Sequence, residues 1–407
     1  MARLSDYESI VGKGIIDDLR LLGEKAKGRV VQNINSTAVG GGVAEILTRI
    51  VPLLGELGVD AKWDVIKGGE SFFEVTKKFH NSLHGRKEKI TSDMFKVFLE
   101  NSQANLDQMD IYGDVVVIHD PQPIVLIKKK STGGKWVWRC HIDVSNPGQK
   151  IWSFLRDFIN QYDAAIFSAP IFARKLKVRQ FLIFPSIDPL SDKNRELSRN
   201  EIESVLKKYE LKQDRPIVAQ ISRFDHLKDP LGVIEAFHLV RKYNKCQLVL
   251  AGNRAADDPE SEKVLEMLKE RAADDPDIHI LLIPPDENDI DVNALQRAAT
   301  VIVQKSIREG FALTVTEALW KAKPIVASAV GGIPLQVTHK YSGLLCRTIE
   351  GAALQIREFL HSPEYAHRLG LNGKEHIRQN FLLTRHLRDY LLLFLALEHP
   401  GKDIIRL

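Results

Sequence analysis

Two glutamates eight residues apart, Glu309 and Glu317, stand in the stretch EGFALTVTE. We expect a loop at Glu309 and Gly310 and a helix that begins near Leu313. The amides of such a loop and of a helix N-terminus can hold phosphate oxygens. Glu317 can then accept hydrogen bonds from a vicinal diol such as a ribose, and Glu309 lies where a hexose could bind. Taken alone, Glu317 is more simply explained as an acidic residue that favours the helix dipole.

A guanidinium and an ammonium, those of Arg223 and Lys228, lie five residues apart in the stretch SRFDHLK, just after an apolar run. Arginine binds phosphate through two N–H groups, whereas lysine acts as a point charge. Together they could neutralise a departing diphosphate. Ordinary surface charge beside Asp225 and Asp229 explains the motif equally well.

Glycine and histidine motifs occur in the first half of the chain. The run Gly40–Gly42 precedes a predicted helix and permits close approach of a ligand to the backbone. Because it does not match G-x-G-x-x-G, a tight turn is the simpler interpretation. The pairs His119-Asp120 and His141-x-Asp143 are too sparse for a metal site. The sequence therefore predicts no bound metal.

Short β-rich runs alternate with helical patterns along most of the chain, and most runs are almost continuously apolar, as in strands buried on both faces. This alternation predicts an α/β fold of parallel sheets with helices on both sides. The predicted strands are Val30–Ile34, Val115–Ile118, Trp136–Cys140, Phe181–Phe184, Ile217–Ile221, Gln247–Ala251, His279–Ile283, Val301–Val303 and Pro324–Ala327. The predicted helices include Val43–Leu57, Pro230–Tyr243, Ser261–Ala273 and a last one near Leu383–Leu397.

The strand–helix series restarts, since residues 30–36 and 217–223 are both apolar strands that end in small polar residues. We therefore expect two doubly wound domains, 1–188 and 189–385, with a last helix at about 386–407 joining the first. Ligands of open α/β sheets bind beyond the carboxyl ends of the strands. Both predicted domains carry polar residues there, which indicates a cleft between them.

Composition excludes several classes of protein. The 407 residues include 57 Lys+Arg and 53 Asp+Glu, a net charge of +4, and 44% are apolar, so disorder and a nucleic-acid partner are not expected. Three widely spaced cysteines suit reduced thiols. The N-terminal stretch lacks the apolar core of a signal peptide, and the run Leu391–Leu397 is far shorter than the roughly 20 residues of a membrane span. We expect a soluble, cytoplasmic protein without a membrane partner.

The combined pattern resembles the retaining GT-B glycosyltransferases of glycosyltransferase family 4, with a glycine-rich loop in the first domain and Arg223, Lys228 and the Glu309/Glu317 pair in the second. Several strings are similar to those of the trehalose glycosyltransferring synthases, which are related to retaining trehalose phosphorylases. They are NSTAVGGGVAEIL (35–47), HDPQP (119–123), WRCHID (138–143), PSIDPLS (185–191), SRFD (222–225) and SIREGFALTVTEA (306–318). The resemblance covers about residues 5–395 and implies two Rossmann-like domains that face each other across a cleft.

The resemblance also implies roles for individual residues. Arg223 and Lys228 would stabilise the leaving diphosphate, Glu309 would bind the donor glucose, and His141 would contact the donor sugar near the reacting centre. The implied donor-binding residues are Glu317 at the ribose and Gly310, Phe311, Ala312 and Leu313 around the sugar and phosphate. Gly41 and Gly42 are also implied to bind the donor, and their loop shapes the acceptor side as well. The implied acceptor-side residues are His119, Asp120, Gln122 and Asp143.

Two residues depart from the pattern of the relatives. Asp229 stands where glycine is frequent and puts an acid near the expected phosphate site. Ala312 stands where glycine is also common, and its methyl group narrows the loop. Both departures affect the expected affinity and donor choice more than the reaction class.

The implied reaction is retaining transfer of glucose from ADP-glucose or UDP-glucose to free glucose, which forms trehalose. Neither the nucleotide nor the preferred direction can be read from the sequence. The alternatives are a retaining trehalose phosphorylase and a family 4 transferase with another sugar acceptor. The expected partners are the nucleotide sugar and glucose or trehalose, in a homodimer that strictly requires no metal or other cofactor.

Overall fold

A computed structural model describes residues 2–38, 41–130, 133–252, 259–273, 275–284 and 288–401. The chain divides into two compact units. The first unit comprises the described residues of 1–186 together with those of 383–407, and the second unit comprises those of 187–382.

The described residues form twelve strands, and all but three of these strands consist entirely of buried or partly buried residues. They are β1 Val30–Asn35, β2 Asp60–Val65, β3 Val115–His119, β4 Lys135–Cys140, β5 Ala164–Phe167, β6 Arg179–Leu182, β7 Ile217–Ile221, β8 Gln247–Gly252, β9 Ile278–Leu282, β10 Val301–Gln304, β11 Ile325–Ser328 and β12 Leu344–Cys346.

The α-helices connect these strands. They are α1 Glu8–Val11, α2 Lys13–Ala26, α3 Gly41–Glu56, α4 Glu70–Leu83, α5 Ser92–Gln108, α6 Gln149–Ile159, α7 Arg199–Lys208, α8 Pro230–Arg241, α9 Pro259–Ala272, α10 Asn288–Ala298, α11 Leu313–Trp320, α12 Ile333–Gln336, α13 Ile349–His361, α14 Pro363–Asn380 and α15 Leu383–Glu398. Short 3-10 helices lie at Leu4–Tyr7, Ile124–Lys129, Pro170–Phe172 and His226–Lys228.

Each unit is built on a six-stranded, all-parallel sheet. The strand order is β2-β1-β3-β4-β5-β6 in the first unit and β12-β11-β10-β7-β8-β9 in the second. All-parallel sheets need helices on both faces because both faces are apolar. Helix α15 returns to the first unit and packs against α2, burying Leu387, Leu391 and Phe394. The predicted α/β class with two doubly wound sheets is confirmed.

The strand order reverses once in each sheet, between β1 and β3 in the first unit and between β7 and β10 in the second. Loops at such a switch point leave in opposite directions and open a crevice beyond the carboxyl ends of the strands. The polar residues singled out in the sequence follow these strands. The topology thus predicts one ligand-binding edge in each unit.

All nine predicted strands are present, but three strands were missed. Strand β2 has charged residues and is only partly buried, which hides the apolar pattern, while β5 and β12 have four and three residues and are too short to stand out. The strand predicted at Phe181–Phe184 lies two residues earlier, at Arg179–Leu182, because this edge strand has no continuous apolar run. None of the described helices has the length and apolar character needed to cross a membrane.

Candidate functional site

Lys228 and Glu309 form an ion pair at the switch point of the second unit. Lys228 ends the 3-10 helix that follows β7, and Glu309 lies in the loop after β10. Asp225 fixes the start of that helix, because its Oδ1 accepts a hydrogen bond from the amide of Leu227 at 2.7 Å. The side chains of Lys228 and Glu309 are only 17% and 9% exposed, so little water screens their attraction.

A chain of buried polar groups orients the Glu309 carboxylate. Ser306 Oγ donates to Glu309 Oε2 at 3.2 Å and accepts from Gln304 Nε2 at 2.9 Å. Thr314 Oγ1, in the first turn of α11, donates to Gln304 Oε1 at 3.3 Å. Among the described residues, the side-chain contacts of Glu309 come from Lys228 and Ser306 and fall on Oε2, so Oε1 can accept from a ligand.

The loop after β11 approaches the Glu309 loop closely. Gly331 has φ +54°, and a Cβ on it would lie 1.6 Å from the carbonyl oxygen of Glu309. A Cβ on Gly332 would lie 2.8 Å from the carbonyl oxygen of Gly310. These two glycines therefore determine where the Glu309 backbone lies.

Asp229, the first departure from the relatives' pattern, has two structural roles. Its backbone is left-handed (φ 50°, ψ 49°), a conformation that aspartate tolerates better than most residues. Its Oδ1 accepts from the amide of Gly232 at 3.1 Å and thereby caps α8. Its other carboxylate oxygen forms an ion pair with Lys305. The extra acid beside the expected phosphate position is therefore compensated by a neighbouring cation.

Ala312, the second departure, begins α11 with φ 71° and ψ 75°. A Cβ in this left-handed region costs roughly 1–2 kcal/mol, which explains why glycine suits the position. Phe311 lies beside it, and its carbonyl oxygen accepts from Gln336. Helix α11 starts at Leu313, where the sequence predicted its start, and ends at Trp320.

Glu317 lies buried in α11, where its Oε2 accepts from Gln296 Nε2 at 3.1 Å. One turn further, the ammonium of Lys321 donates to Asn194 Oδ1 at 3.0 Å and to the Glu317 carbonyl oxygen at 3.3 Å. Burial lowers the pKa of Lys321 to about 7, although the Glu317 carboxylate favours the charged form. Arg223 lies apart from this group, with an exposed guanidinium 3.9 Å from Asp225.

In the first unit, His119 and His141 meet at the switch point. His119 Nδ1 and His141 Nε2 are 3.0 Å apart, and His119 Nε2 lies 3.2 Å from Asn33 Oδ1. Asp120 follows His119 with φ 63°, and its Oδ1 accepts from the amide of His141 at 2.7 Å. His119 is buried, whereas His141 is partly exposed.

Burial and the buried cation Arg139 control the charges of His119, His141 and Asp120. Arg139 on β4 is fully buried, and none of its guanidinium nitrogens has a hydrogen-bond partner among the described residues. Burial, together with Arg139, lowers the pKa of His119 to about 3 and that of His141 well below its ordinary value. Burial also raises the pKa of Asp120 to about 7, against the opposing effects of the His141 amide and Arg139.

The other residues implied on this side are more dispersed. Gln122 lines a small pocket with Asn101 and Asn105 of α5, and its Oε1 lacks a partner among the described residues. Asp143 is buried and accepts from the amide of Ser145 at 2.8 Å, as in an ordinary turn. Gly41 and Gly42 form the first turn of α3, and Gly40 lies outside the described residues. No cluster of three or more possible metal ligands occurs in the part of the chain that is described.

Several residues of these networks were missed by the sequence reasoning. Gln304, Asn33 and Gln296 are the supporting polar groups of Glu309, His119 and Glu317. Two of them lie on buried strands, Asn33 within β1 and Gln304 at the end of β10. A buried polar side chain needs a partner, so an Asn or Gln on a buried strand is the signal that would have found these two.

Comparison with known proteins places this chain among enzymes that act on sugars. The family described as "Trehalose synthase, N-terminal domain" matches residues 33–174, and "Glycosyl transferases group 1" matches residues 201–376. A trehalose synthase of Thermococcus litoralis is 43% identical over 394 residues, covering 96% of each chain.

More distant relatives share the architecture. A trehalose phosphorylase of Grifola frondosa is 30% identical over 406 residues, covering 86% of this chain and 55% of that protein. An α,α-trehalose-phosphate synthase of Burkholderia xenovorans has a solved structure with a TM-score of 0.72 and 14% identity, covering 91% of this chain and 100% of that one. At that identity the likeness concerns the fold, which is of the GT-B type.

Gly331→Ala is expected to destabilise the second unit. The added Cβ would overlap the Glu309 carbonyl in a left-handed backbone, so the free energy of unfolding should fall by about 2 kcal/mol or more. Urea denaturation measures this. Gly14→Ala is the matched control, since a Cβ there meets nothing within 4 Å in helix α2. Equal stability of both variants would contradict the close approach.

Lys321→Met is expected to change how stability depends on pH. The folded-state pKa of about 7 lies below the ordinary lysine value of 10.5, so the unfolded chain binds more protons between these pH values. Lys321 should therefore make the free energy of unfolding rise with pH from about 7 to 10. The free energy of unfolding is measured by urea denaturation at several pH values, and the difference between wild type and Lys321→Met isolates this rise. Lys207→Met is the matched control, because Lys207 is exposed. The prediction would be contradicted if the stability difference between wild type and Lys321→Met did not vary with pH, or if Lys207→Met lost the same rise in stability.

Proposed function

Because the chain belongs to the trehalose synthases of the GT-B glycosyltransferases, we propose that it transfers glucose from a nucleoside diphosphate glucose to free glucose. The product is trehalose, with retention of configuration at the donor anomeric carbon. The donor is ADP-glucose or UDP-glucose. The observation that carries the proposal is the ion pair of Lys228 and Glu309. Lys228 provides a cation and Glu309 an acceptor for hydroxyl groups, and the loop of Glu309 leads to the start of α11.

Lys228 supplies the positive charge toward the leaving diphosphate. Glu309 and the capped 3-10 helix hold its ammonium in place before any ligand binds. Preorganised charge of this kind stabilises a transition state because it needs no rearrangement when negative charge develops. The exposed guanidinium of Arg223 is free to bind a second phosphate oxygen through its planar fork of N–H groups.

The two glutamates each have an oxygen available for sugar hydroxyls. Glu309 Oε2 is engaged by Lys228 and Ser306, so Oε1 can accept from a hydroxyl of the donor glucose. Glu317 Oε2 is engaged by Gln296, so its Oε1 can accept from the ribose. The proposed donor contacts of Gly310, Phe311, Ala312 and Leu313 are consistent with their place between these two carboxylates.

Transfer proceeds by attack on the same face that the diphosphate leaves. The bond between the anomeric carbon and the β-phosphate oxygen breaks, and the bond to the acceptor oxygen forms. The proton of the acceptor hydroxyl passes to the departing phosphate oxygen. The residues of this chain then act by positioning and by charge, and no covalent intermediate on the protein is formed.

Identification of products tests the proposed reaction. Full-length protein is incubated with ¹³C-labelled glucose and ADP-glucose or UDP-glucose, and the sugars are analysed by NMR. We expect α,α-trehalose containing one labelled ring, together with one equivalent of nucleoside diphosphate. Trehalose formed instead from glucose 1-phosphate and glucose would identify a phosphorylase, and label in a different disaccharide would identify another acceptor. Either result would replace the proposal.

Lys228→Ala is expected to lower kcat by about 100-fold or more, because a preorganised charge at the leaving group is lost. KM for the donor should change much less. Lys208→Ala is the matched control, since Lys208 also forms an ion pair, with Asp291 at 2.8 Å, but lies on α7 and not in the loop after β7 or β10. Steady-state kinetics with the accepted donor measures both. Turnover unchanged in Lys228→Ala would contradict the assigned role.

A further inference from the structure

A row of hydrogen bonds crosses the sheet of the first unit and ends at His141. It begins at the carbonyl oxygen of Lys62 on β2, to which Asn33 Nδ2 donates at 3.3 Å. Asn33 lies on β1, His119 ends β3, and His141 directly follows β4. The register of the parallel strands therefore brings one polar group from each of four neighbouring strands into line.

The Lys62 carbonyl determines the direction of every bond in this row. A carbonyl oxygen only accepts, so the amide nitrogen of Asn33 must face it and Oδ1 must face His119. Since Oδ1 also only accepts, His119 Nε2 carries a proton. In a neutral imidazole the other nitrogen is then an acceptor, so His119 Nδ1 receives its bond from a proton on His141 Nε2.

The geometry of the two rings fits one direct bond between them. The nitrogens are 3.0 Å apart, the ring centroids are 5.3 Å apart and the ring planes differ by 14°. The centroids are farther apart than the nitrogens by about the radii of both rings. The hydrogen bond therefore lies close to the plane of each imidazole, where the lone pair of His119 Nδ1 points.

The row keeps its direction only while His119 is neutral, and Nδ1 of His141 is an acceptor only while His141 is neutral as well. A doubly protonated His119 would donate from both nitrogens and would reverse the bond to His141. Burial and the cationic Arg139 oppose protonation of either ring. The titratable and charged groups that interact with the pair and Arg139 are Asp120 after β3, Cys140 on β4, and Arg385, His386, Asp389 and Tyr390 on α15.

We propose that Asn33 and His119 are positioning residues that keep His141 in the tautomer with its proton on Nε2, so that Nδ1 accepts a hydrogen bond from a hydroxyl of the donor sugar. His141 is partly exposed, and Nδ1 lies on the side of the ring away from His119. The part that concerns the sugar rests on the proposed function, whereas the tautomer does not.

The tautomer is measured directly by long-range ¹H–¹⁵N NMR of protein labelled at histidine, with His141→Gln used to assign the signals. We expect a protonated Nε2 and an unprotonated Nδ1 for His141 throughout pH 6 to 9. In His119→Leu the fixed tautomer should be lost, and in His119→Asn it should be retained because the amide oxygen accepts in place of Nδ1. A protonated Nδ1 in wild type, or a fixed tautomer in His119→Leu, would overturn the proposal.

Stability is separated from positioning by the same pair of variants. If His119→Leu and His119→Asn unfold at similar Tm, a lower kcat/KM in His119→Leu alone reports the loss of the acceptor. We expect a fall of about tenfold, the size of one hydrogen bond. Equal kcat/KM in the two variants would overturn the positioning role.

The sugar contact is tested with donors in which one glucose hydroxyl at a time is replaced by hydrogen or by fluorine. Both replacements remove the donated hydrogen bond, but fluorine also slows glucosyl transfer by its inductive effect in every variant, so each loss in kcat/KM is compared between wild type and His141→Ala. At the contacted position each replacement should cost about tenfold more in wild type than in His141→Ala, and at the other positions the two proteins should lose equally. Equal losses in wild type and His141→Ala at every position would overturn the contact. If no transfer occurs with any donor, the proposed function fails, while the NMR result on the tautomer still stands.

Discussion

The ion pair of Lys228 and Glu309 joins the loops that follow β7 and β10, the two strands at which the order of the second sheet reverses. A largely buried ammonium without a partner would be costly, so the pair depends on correct placement of both loops. Ser306 and Gln304 orient the carboxylate, and Gly331 lets the next loop approach its backbone. The sheet topology, the tight loops and the charges therefore form one connected arrangement.

The first unit uses the same topology with different chemistry. Its switch point holds neutral, hydrogen-bonded imidazoles beside a buried guanidinium, in place of a compensated ion pair. Burial, together with Arg139, makes protonation of His119 and His141 unfavourable, and Asn33 supplies the acceptor that orders their protons. One unit is thus suited to bind negative charge, and the other to accept hydrogen bonds from hydroxyl groups.

Much of the fold and part of the site could be predicted from the sequence. Continuous apolar runs mark strands buried on both faces, and residues after such strands fall at one edge of a parallel sheet, which is why the sequence could place Lys228, Glu309 and His141 at that edge. The supporting residues Gln296 and Asn33 could not be identified in this way, because they meet their partners only through helix packing and strand register. Asp229 illustrates the same limit, since its compensation by Lys305 depends on two distant segments.

A crystal structure with ADP or UDP bound tests the role of the Lys228–Glu309 pair most directly. We predict a diphosphate within hydrogen-bonding distance of Lys228 Nζ and of the backbone amides of residues 310–313, with the ribose at Glu317. A diphosphate bound elsewhere, with the Lys228–Glu309 pair unchanged and no phosphate oxygen near it, would show that this pair does not bind the leaving group.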